Sequence, residues 1–174
     1  MTGNDAHVFI NAVAIPTENE TCDLFIFRAG EKLFGVPAAR VAGITERKVP
    51  AQLPFAPPAV LGVVGFQGRM VTVVDPLVLI GELRSKPEAA IPLITVLNGD
   101  EQLGLAGDSQ EEVLSVRLNG IPRSSGWQSP AIAVSIQHHD REIMVLDPAS
   151  LFAAAVGRIE RRRKRSLMQG SLGC

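Results

Sequence analysis

The chain has few of the side chains that commonly carry chemistry or form cross-links. Its 174 residues include two cysteines, three histidines, one tryptophan and no tyrosine. Cys22 and Cys174 lie far apart in the sequence, so we expect no framework disulfide and a reducing, cytoplasmic location. Cys22 also has no histidine near it in the sequence, which favours burial in a strand over a role as nucleophile. With only seven phenylalanines, the core must consist mainly of aliphatic side chains.

Long apolar runs and an export signal are also absent. No stretch reaches the roughly 18 uninterrupted apolar residues of a membrane-spanning helix. The first twenty residues lack a basic start followed by an apolar run, so we expect no secretory signal. A chain of this length buries roughly 70% of its unfolded surface, and it therefore needs no metal or disulfide to fold.

No group of residues has the spacing of a catalytic or metal site. His138 and His139 are adjacent, so on a strand they would point to opposite faces, and the third histidine is the distant His7. A hairpin turn is therefore favoured there over a metal site. Asp75 and Asp147 each precede a proline, which is typical of a helix cap rather than a catalytic carboxylate pair. We expect no enzymatic activity, no cofactor and no small-molecule substrate.

Charge is distributed unevenly along the chain. Residues 158–165 carry a net charge of +5, which leaves −6 for the remainder. This run could contact an anionic lipid surface or nucleic acid, or it could be the solvated end of a helix, where cations are favoured. We favour the helix end and expect residues 158–174 to be a disordered basic tail. The candidate anionic contacts are Arg161, Arg162, Arg163, Lys164 and Arg165.

The strongest pattern is an internal repeat. Residues 23–47 resemble residues 93–117 at a shift of 70, which aligns Ile44 with Leu114. Residues 71–76 are matched by residues 143–148 at a shift of 72. Two copies of one β-rich unit predict two similar small barrels in one compact body, divided near the polar linker at residues 82–90. Such an architecture offers surfaces and a groove.

Turn residues and apolar runs predict the elements within this frame. Residues 50–58 contain four prolines and should form an extended, stiff connection. Residues 67–69 should form a tight hairpin, and residues 1–21 a loosely held leader. The predicted strands are 22–29, 33–36, 41–49, two within 59–75, 91–97, 102–106, 111–118, 131–137 and 142–146. Helices are predicted at 76–80 and from 148 to about 165.

Several of these segments resemble the CheW family of chemotaxis coupling proteins. The family pattern is matched by Leu61-Gly62-Val63-Val64, by Gly68 and by the run from Val71 to Asp75. Pro54-Phe55-Ala56-Pro57 is similar to the proline-containing approach to that hairpin. In the second half, residues 104–114 and 144–151 resemble later parts of the pattern. The resemblance extends over residues 22–152.

The resemblance implies a fold and a function. The fold is all-β with short helices: two five-stranded SH3-like barrels packed pseudo-symmetrically, with a C-terminal helix. The function is that of a non-catalytic adaptor that couples chemoreceptors to a CheA-type histidine kinase, with the kinase on one barrel and the receptor tip in the groove between barrels. Self-association or ring assembly stays open. The partner-binding residues expected from it are Val41, Ile44, Leu61, Gly62, Val64, Phe66, Gln67 and Arg69.

Two departures from the family pattern and one ambiguity concern this surface. The arginine of the family's hairpin falls on Gln67, although Arg69 could supply a similar charge. An acidic residue expected after Val41 is replaced by Ala42 and Gly43, so we expect a divergent chemosensory pathway. The strand at residues 60–66 is apolar on both faces, as expected of core or of a groove. The alternative function is a membrane- or nucleic-acid-associated regulator that acts through the basic tail.

Overall fold

A computed structural model describes residues 21–83, 90–117 and 129–157. Within these ranges the chain forms ten strands, a 3₁₀ turn at Ala38–Arg40 and two short helices, α1 (Pro76–Ile80) and α2 (residues 151–157). None of these helices is long and apolar enough to cross a membrane. The strands are β1 (Thr21–Ala29), β2 (Lys32–Pro37), β3 (Val41–Lys48), β4 (Val60–Phe66), β5 (Arg69–Val74), β6 (Ile91–Leu97), β7 (Leu103–Gly107), β8 (Ser109–Arg117), β9 (Ile132–His138) and β10 (Arg141–Leu146).

The strands form two five-stranded sheets of matching topology. The first sheet has the order β8-β1-β2-β10-β9, and the second has the order β3-β6-β7-β5-β4. If each strand is replaced by the one five places away in the chain, the first order becomes the second. Each sheet contains one parallel pair, β2 with β10 and β5 with β7, and these pairs are also equivalent. The repeat seen in the sequence is therefore a pseudo-twofold relationship in the fold.

The predicted division of the two barrels near residues 82–90 needs correction. The hairpin β1–β2 pairs with β8 and β10 from the second half of the chain, and β9 completes that sheet beside β10. The hairpin β6–β7 pairs with β3 and β5 from the first half, and β4 completes that sheet beside β5. Each half therefore contributes strands to both sheets, because its first hairpin completes the sheet formed by the other half.

The structural alignment of the two copies also differs by one residue from the sequence alignment. Ile44 pairs with Thr95 and Val113 pairs with Phe25, so Ile44 is equivalent to Val113 rather than to Leu114. The copies differ because Phe25 pairs with Val36 whereas its equivalent, Thr95, pairs with Leu105, so the second hairpin has one residue fewer between the paired positions. The equivalent edge strands β3 and β8 each contain a register shift, and the two shifts lie at equivalent positions. This favours a β-bulge common to both copies.

Three apolar clusters fill the described part of the molecule. One lies within the second sheet and includes Val64, Val71 and Ile94, and its counterpart within the first sheet includes Leu24 and Ile143. The largest cluster contains side chains of both sheets, among them the stacked rings of Phe27 and Phe34, whose centroids are 5.8 Å apart. This inter-sheet core holds the two sheets against each other, and it is covered at one end by α2 through Leu151, Ala154 and Ala155.

The local predictions have mixed outcomes. Helix 76–80 forms as predicted: Asp75 caps it and Gly81 ends it in the left-handed conformation. The connection at residues 50–58 is not simply extended, because Ala51 forms a bridge with Val63 and turns follow at 54–55 and 58–59. The second helix begins at residue 151 rather than 148, after a turn. The leader at 1–20, most of the linker and the tail at 158–174 lie outside the described residues.

Candidate docking surface

The hairpin between β4 and β5 forms the tip of the candidate surface. Phe66 pairs with Arg69, and the two turn residues between them, Gln67 and Gly68, have φ angles of 46° and 75°. Two successive left-handed residues are typical of a type I′ turn, whose twist matches that of the flanking strands. The hairpin predicted at residues 67–69 is therefore present, and it projects Gln67 and Arg69 into solvent.

The equivalent hairpin between β9 and β10 has the same geometry with different chemistry. His138 pairs with Arg141, and the turn residues His139 and Asp140 have φ angles of 45° and 61°. The turn predicted from the two histidines is thus found. In the part of the chain that the structure describes, no three or more His, Cys, Asp or Glu side chains form a group that could hold a metal ion.

Phe66 joins the two outer strands of the second sheet. Its ring lies against Gly43 of β3, where a Cβ atom would be only 2.8 Å from the ring's Cζ. On the same seam, Gly62 of β4 lies against Ala51, whose carbonyl oxygen would clash with a Cβ atom at residue 62. Close approach to the backbone therefore requires glycine at residue 62, whereas a Cβ atom at residue 43 would have to displace the ring of Phe66. The seam brings β3 next to the tip of the β4–β5 hairpin.

Ile44 lies on the inter-sheet side of β3. It pairs with Thr95, and directly opposed residues in an antiparallel ladder project to the same face. Thr95 alternates with Leu93 and Leu97, which belong to the inter-sheet core. Because β3 is an outer strand, Ile44 is still 39% exposed, so it offers apolar area at the rim of that core.

The structure does not present all the predicted contact residues to solvent. Val64 is only 5% exposed and packs in the interior of the second sheet, so it has almost no area for a partner, and its prediction as a docking residue does not fit the structure. Leu61 is half-buried against the same cluster, and Gly62 is buried. Val41 packs against the inter-sheet core. These four residues support the surface by packing beneath it and offer a partner little or no contact area.

The two hairpin arginines differ in their ion pairs. Arg141 lies 3.7 Å from Glu111 and 3.9 Å from Glu112 across the first sheet. Its equivalent, Arg69, has no carboxylate partner within the described ranges, because the positions equivalent to the two glutamates are Ala42 and Gly43. Arg69 therefore presents a solvated cation that is available for an external carboxylate.

Further ion pairs make the equivalent end of the first sheet polar. Arg28 donates from Nε to Glu111 Oε1 at 3.0 Å, and its Nη2 lies 3.0 Å from the same oxygen. His138, which occupies the place of Phe66, lies 3.8 Å from Glu112. The pseudo-twofold therefore relates two seams of different chemistry. In the second sheet the seam is apolar, with Phe66 over Gly43, and in the first it is charged, with His138 beside Glu112.

Sequence reasoning missed several strongly exposed apolar side chains in the described ranges. Phe55 is 101% exposed, and Val49, at 66%, and Leu53, at 44%, lie in the same connection. Met70 and Val113 are also more than half exposed, at 60% and 55%. One signal was present in the sequence: no acidic residue occurs from 47 to 74, so an uncharged apolar loop is flanked only by cations.

The other candidates from the sequence have structural roles where they are described. The backbone amide of Leu77 donates to Asp75 Oδ1 at 3.0 Å, and that of Ala149 donates to Asp147 Oδ1 at 3.1 Å. Asp75 thus caps α1 as predicted. Asp147 caps the turn at residues 148–150 instead of the helix predicted to begin at 148. Burial, and secondarily the charge of Asp23, raise the pKa of the Cys22 thiol, which disfavours the thiolate. Arg161, Arg162, Arg163, Lys164 and Arg165 lie outside the described residues.

Comparisons with known proteins place this geometry in context. A family model described as the CheW-like domain matches residues 23–156. The scaffolding protein TtCheW from Thermoanaerobacter tengcongensis has a similar crystal structure, with a TM-score of 0.65 and 18% sequence identity. The alignment covers 78% of this chain and 90% of that one, so the two sheets are SH3-like barrels of the same fold. No curated protein sequence gives a significant match.

Proposed function

The chain belongs to the CheW-like domain family, and on that premise we propose that it is a non-catalytic adaptor that couples chemoreceptors to a CheA-type histidine kinase. The receptor tip would bind a docking face formed by Phe66, Gln67 and Arg69 at the hairpin, with Ile44 at its edge on the inter-sheet side of β3. The kinase would bind through a regulatory domain of the same barrel type. Both are contacts between protein surfaces, and the adaptor supplies position rather than chemistry.

One observation carries the proposal. An exposed apolar side chain on the outer strand β3 and a cation on the β4–β5 hairpin, unpaired among the described residues, lie at the same end of the second sheet. Ile44 is 39% exposed at the rim of the inter-sheet core, and Arg69 has no carboxylate partner in the described parts of the chain. An amphipathic helix with an acidic residue beside its apolar stripe would complement both groups. Chemoreceptor tips are helical, which makes them suitable partners for such a rim.

The contrast between the two hairpins supports an assignment to one barrel. At the equivalent place in the first sheet, Arg141 is neutralised by Glu111 and Glu112 within the chain. A partner that carries a carboxylate should therefore bind the second sheet, where Arg69 is unpaired within the described chain. Internal pairing removes the same attraction from the first sheet, which leaves that barrel for a different partner.

Binding assays with purified components test the proposal. The receptor's cytoplasmic fragment and the kinase's regulatory domain, both taken from the genome that encodes this chain, would be titrated separately against the wild type and variants. We expect Ile44→Asp and Arg69→Glu each to weaken receptor binding by at least tenfold, because one places a charge in an apolar contact and the other reverses a required charge. Kinase binding should be retained.

The pseudo-twofold supplies a matched control. Val113→Asp makes the same change at the structurally equivalent position, on a strand whose neighbouring charges are already paired, and should leave receptor affinity within threefold of the wild type. Circular dichroism and thermal denaturation would establish that every variant is folded. Receptor affinity that is unchanged in both folded variants, or lost equally in Val113→Asp, would contradict the assignment of the docking face.

A further inference from the structure

The connection between β3 and β4 ends in a fully exposed aromatic side chain held in an unfavourable backbone conformation. Phe55 is 101% exposed and has a φ of 58°. The left-handed region is rarely adopted by bulky side chains, and residues held there cluster at ligand clamps and other functional sites. Neither exposure nor strain contributes to the stability of the fold, so both point to a role outside it.

The chain around Phe55 is held rigidly. Ala51 and Val63 exchange two backbone hydrogen bonds of 2.8 and 2.9 Å, which fix the start of the loop against β4. The amide of Ala56 donates to the carbonyl oxygen of Leu53 at 3.3 Å and closes a turn around Phe55. Four prolines, at residues 50, 54, 57 and 58, fix further φ angles. A side chain on such a frame loses little conformational entropy when it binds.

The charges next to this loop are of one sign. Arg47 and Lys48 precede it and are exposed, and the next acidic residue after Glu46 is Asp75. The rest of the chain outside residues 158–165 is acidic on balance. This surface therefore combines an uncharged apolar tip with a cationic base, and a complementary surface would have an apolar pocket and carboxylates beside it.

We propose that residues 47–55 form a docking knob, in which Phe55 enters an apolar pocket of a protein partner and Arg47 and Lys48 meet carboxylates at the pocket's rim. A protein fits the loop better than a lipid surface does. The turn presents one fully exposed ring, Leu53 beside it is 44% exposed, and Val49, at 66%, lies six residues away at the other end of the segment. Peripheral membrane binding depends on several apolar side chains inserted together and on more cations than this loop carries.

The knob goes beyond the proposed function, since none of its residues belongs to the docking face. Aromatic anchors dominate the binding energy of many protein interfaces, although the exposed area of three side chains is well below the ~800 Å² per partner of a standard interface. The contact is therefore transient by itself, or it strengthens a larger contact made elsewhere on the molecule.

A selection with a peptide library displayed on phage tests the knob. The library would be selected on the full chain, with counter-selection on a Phe55→Gly variant. Glycine at residue 55 relieves the unfavourable φ, so this variant should melt at the same temperature as the wild type or higher. We expect the selected peptides to be rich in apolar residues flanked by Asp or Glu and to bind Phe55→Gly at least tenfold more weakly.

Two further measurements test the contribution of the knob's charges and the choice between a protein and a lipid partner. Replacing both Arg47 and Lys48 by Ser should weaken the selected peptides at least threefold and reduce the salt dependence of their binding. Gln137→Ser, at an exposed position on β9 outside the knob, should have no effect. Peptides that bind the wild type and Phe55→Gly equally would overturn the proposal. It would also be overturned if the wild type, but not Phe55→Gly, bound vesicles of phosphatidylcholine and phosphatidylglycerol, because the loop would then be a lipid anchor.

Discussion

The ring of Phe66 occupies the space that a side chain at Gly43 would need. A Cβ atom at residue 43 would lie 2.8 Å from the Cζ of Phe66 and 3.6 Å from Cε2. We expect Gly43→Ala to lower the free energy of unfolding by about 1–3 kcal/mol, the usual cost of overpacking a filled site. Urea denaturation followed by circular dichroism would measure it.

Gly65 provides the control for that substitution. It lies on β4, one residue from Phe66, and a Cβ atom there would meet no atom within 4 Å. Gly65→Ala should therefore change stability by less than about 1 kcal/mol. In a double-mutant cycle, Phe66→Leu should recover part of the loss in Gly43→Ala, since the two residues are in contact. Strict additivity of the two changes would show that the ring and residue 43 do not interact.

Val64 and Ile44 should lose stability to very different extents on the same substitution. Val64 is 5% exposed in the interior of the second sheet, so Val64→Asp buries an unpaired carboxylate and should cost at least ~3 kcal/mol of stability. Ile44→Asp places the charge at the rim, where water solvates it, and should cost less than about 1 kcal/mol. Thermal denaturation of both variants decides this, and a native melting temperature for Val64→Asp would contradict the burial of that residue.

Thr95 is a polar residue on the side of β6 that faces the inter-sheet core. It is fully buried, and its Oγ1 has no hydrogen-bond partner in the described parts of the chain. Replacing the hydroxyl by a methyl group in Thr95→Val should therefore raise the free energy of unfolding by about 1–2 kcal/mol. Thr72→Val, on the half-buried face of β5, should change it by less than about 0.5 kcal/mol. A loss of stability in Thr95→Val would contradict the assignment of an unsatisfied hydroxyl.

The raised pKa of Cys22 predicts slow alkylation. Burial is the main cause and the charge of Asp23 the second, and both favour the neutral thiol over the reactive thiolate. In a Cys174→Ser background, iodoacetamide at pH 7.5 should react more slowly with the folded chain than with the chain unfolded in urea. The rate for the folded chain should continue to rise above pH 9, and Asp23→Asn should increase it at pH 7.5. Equal alkylation rates in the folded and unfolded chains would contradict the raised pKa of Cys22.

Much of the fold could be predicted from local patterns. Proline and glycine mark the ends of α1, and Asp75 caps it as the Asp-Pro sequence indicates. The hairpin turns at Gln67 and His139 follow from short polar segments between apolar strands. The exchange of strands between halves could not be predicted in this way, because pairing between distant strands depends on packing that the repeat by itself does not specify.

The candidate site was predictable only in part. An apolar strand at residues 60–66 indicates burial without saying which face is covered, so Val64 and Ile44 received equal weight although one is buried and the other exposed. The free charge of Arg69 depends on what stands opposite it, and the comparison with Arg141 requires the structural alignment. Phe55 was overlooked because a proline-rich connection indicates stiffness and not the direction in which its side chains project.

The interlaced strands have a consequence for how such a molecule can arise. One repeat alone has a hairpin and three further strands that never join the same sheet, so two unfused repeats could complete their sheets only as an interlocked pair. In that pair both hairpin tips would carry identical side chains. In a covalently linked chain each tip can mutate separately. The two tips indeed differ, with Phe66 at one and His138 at the equivalent position of the other. A pseudo-symmetric fold with two unlike hairpin tips is what duplication of one unit, followed by separate mutation of the copies, would produce.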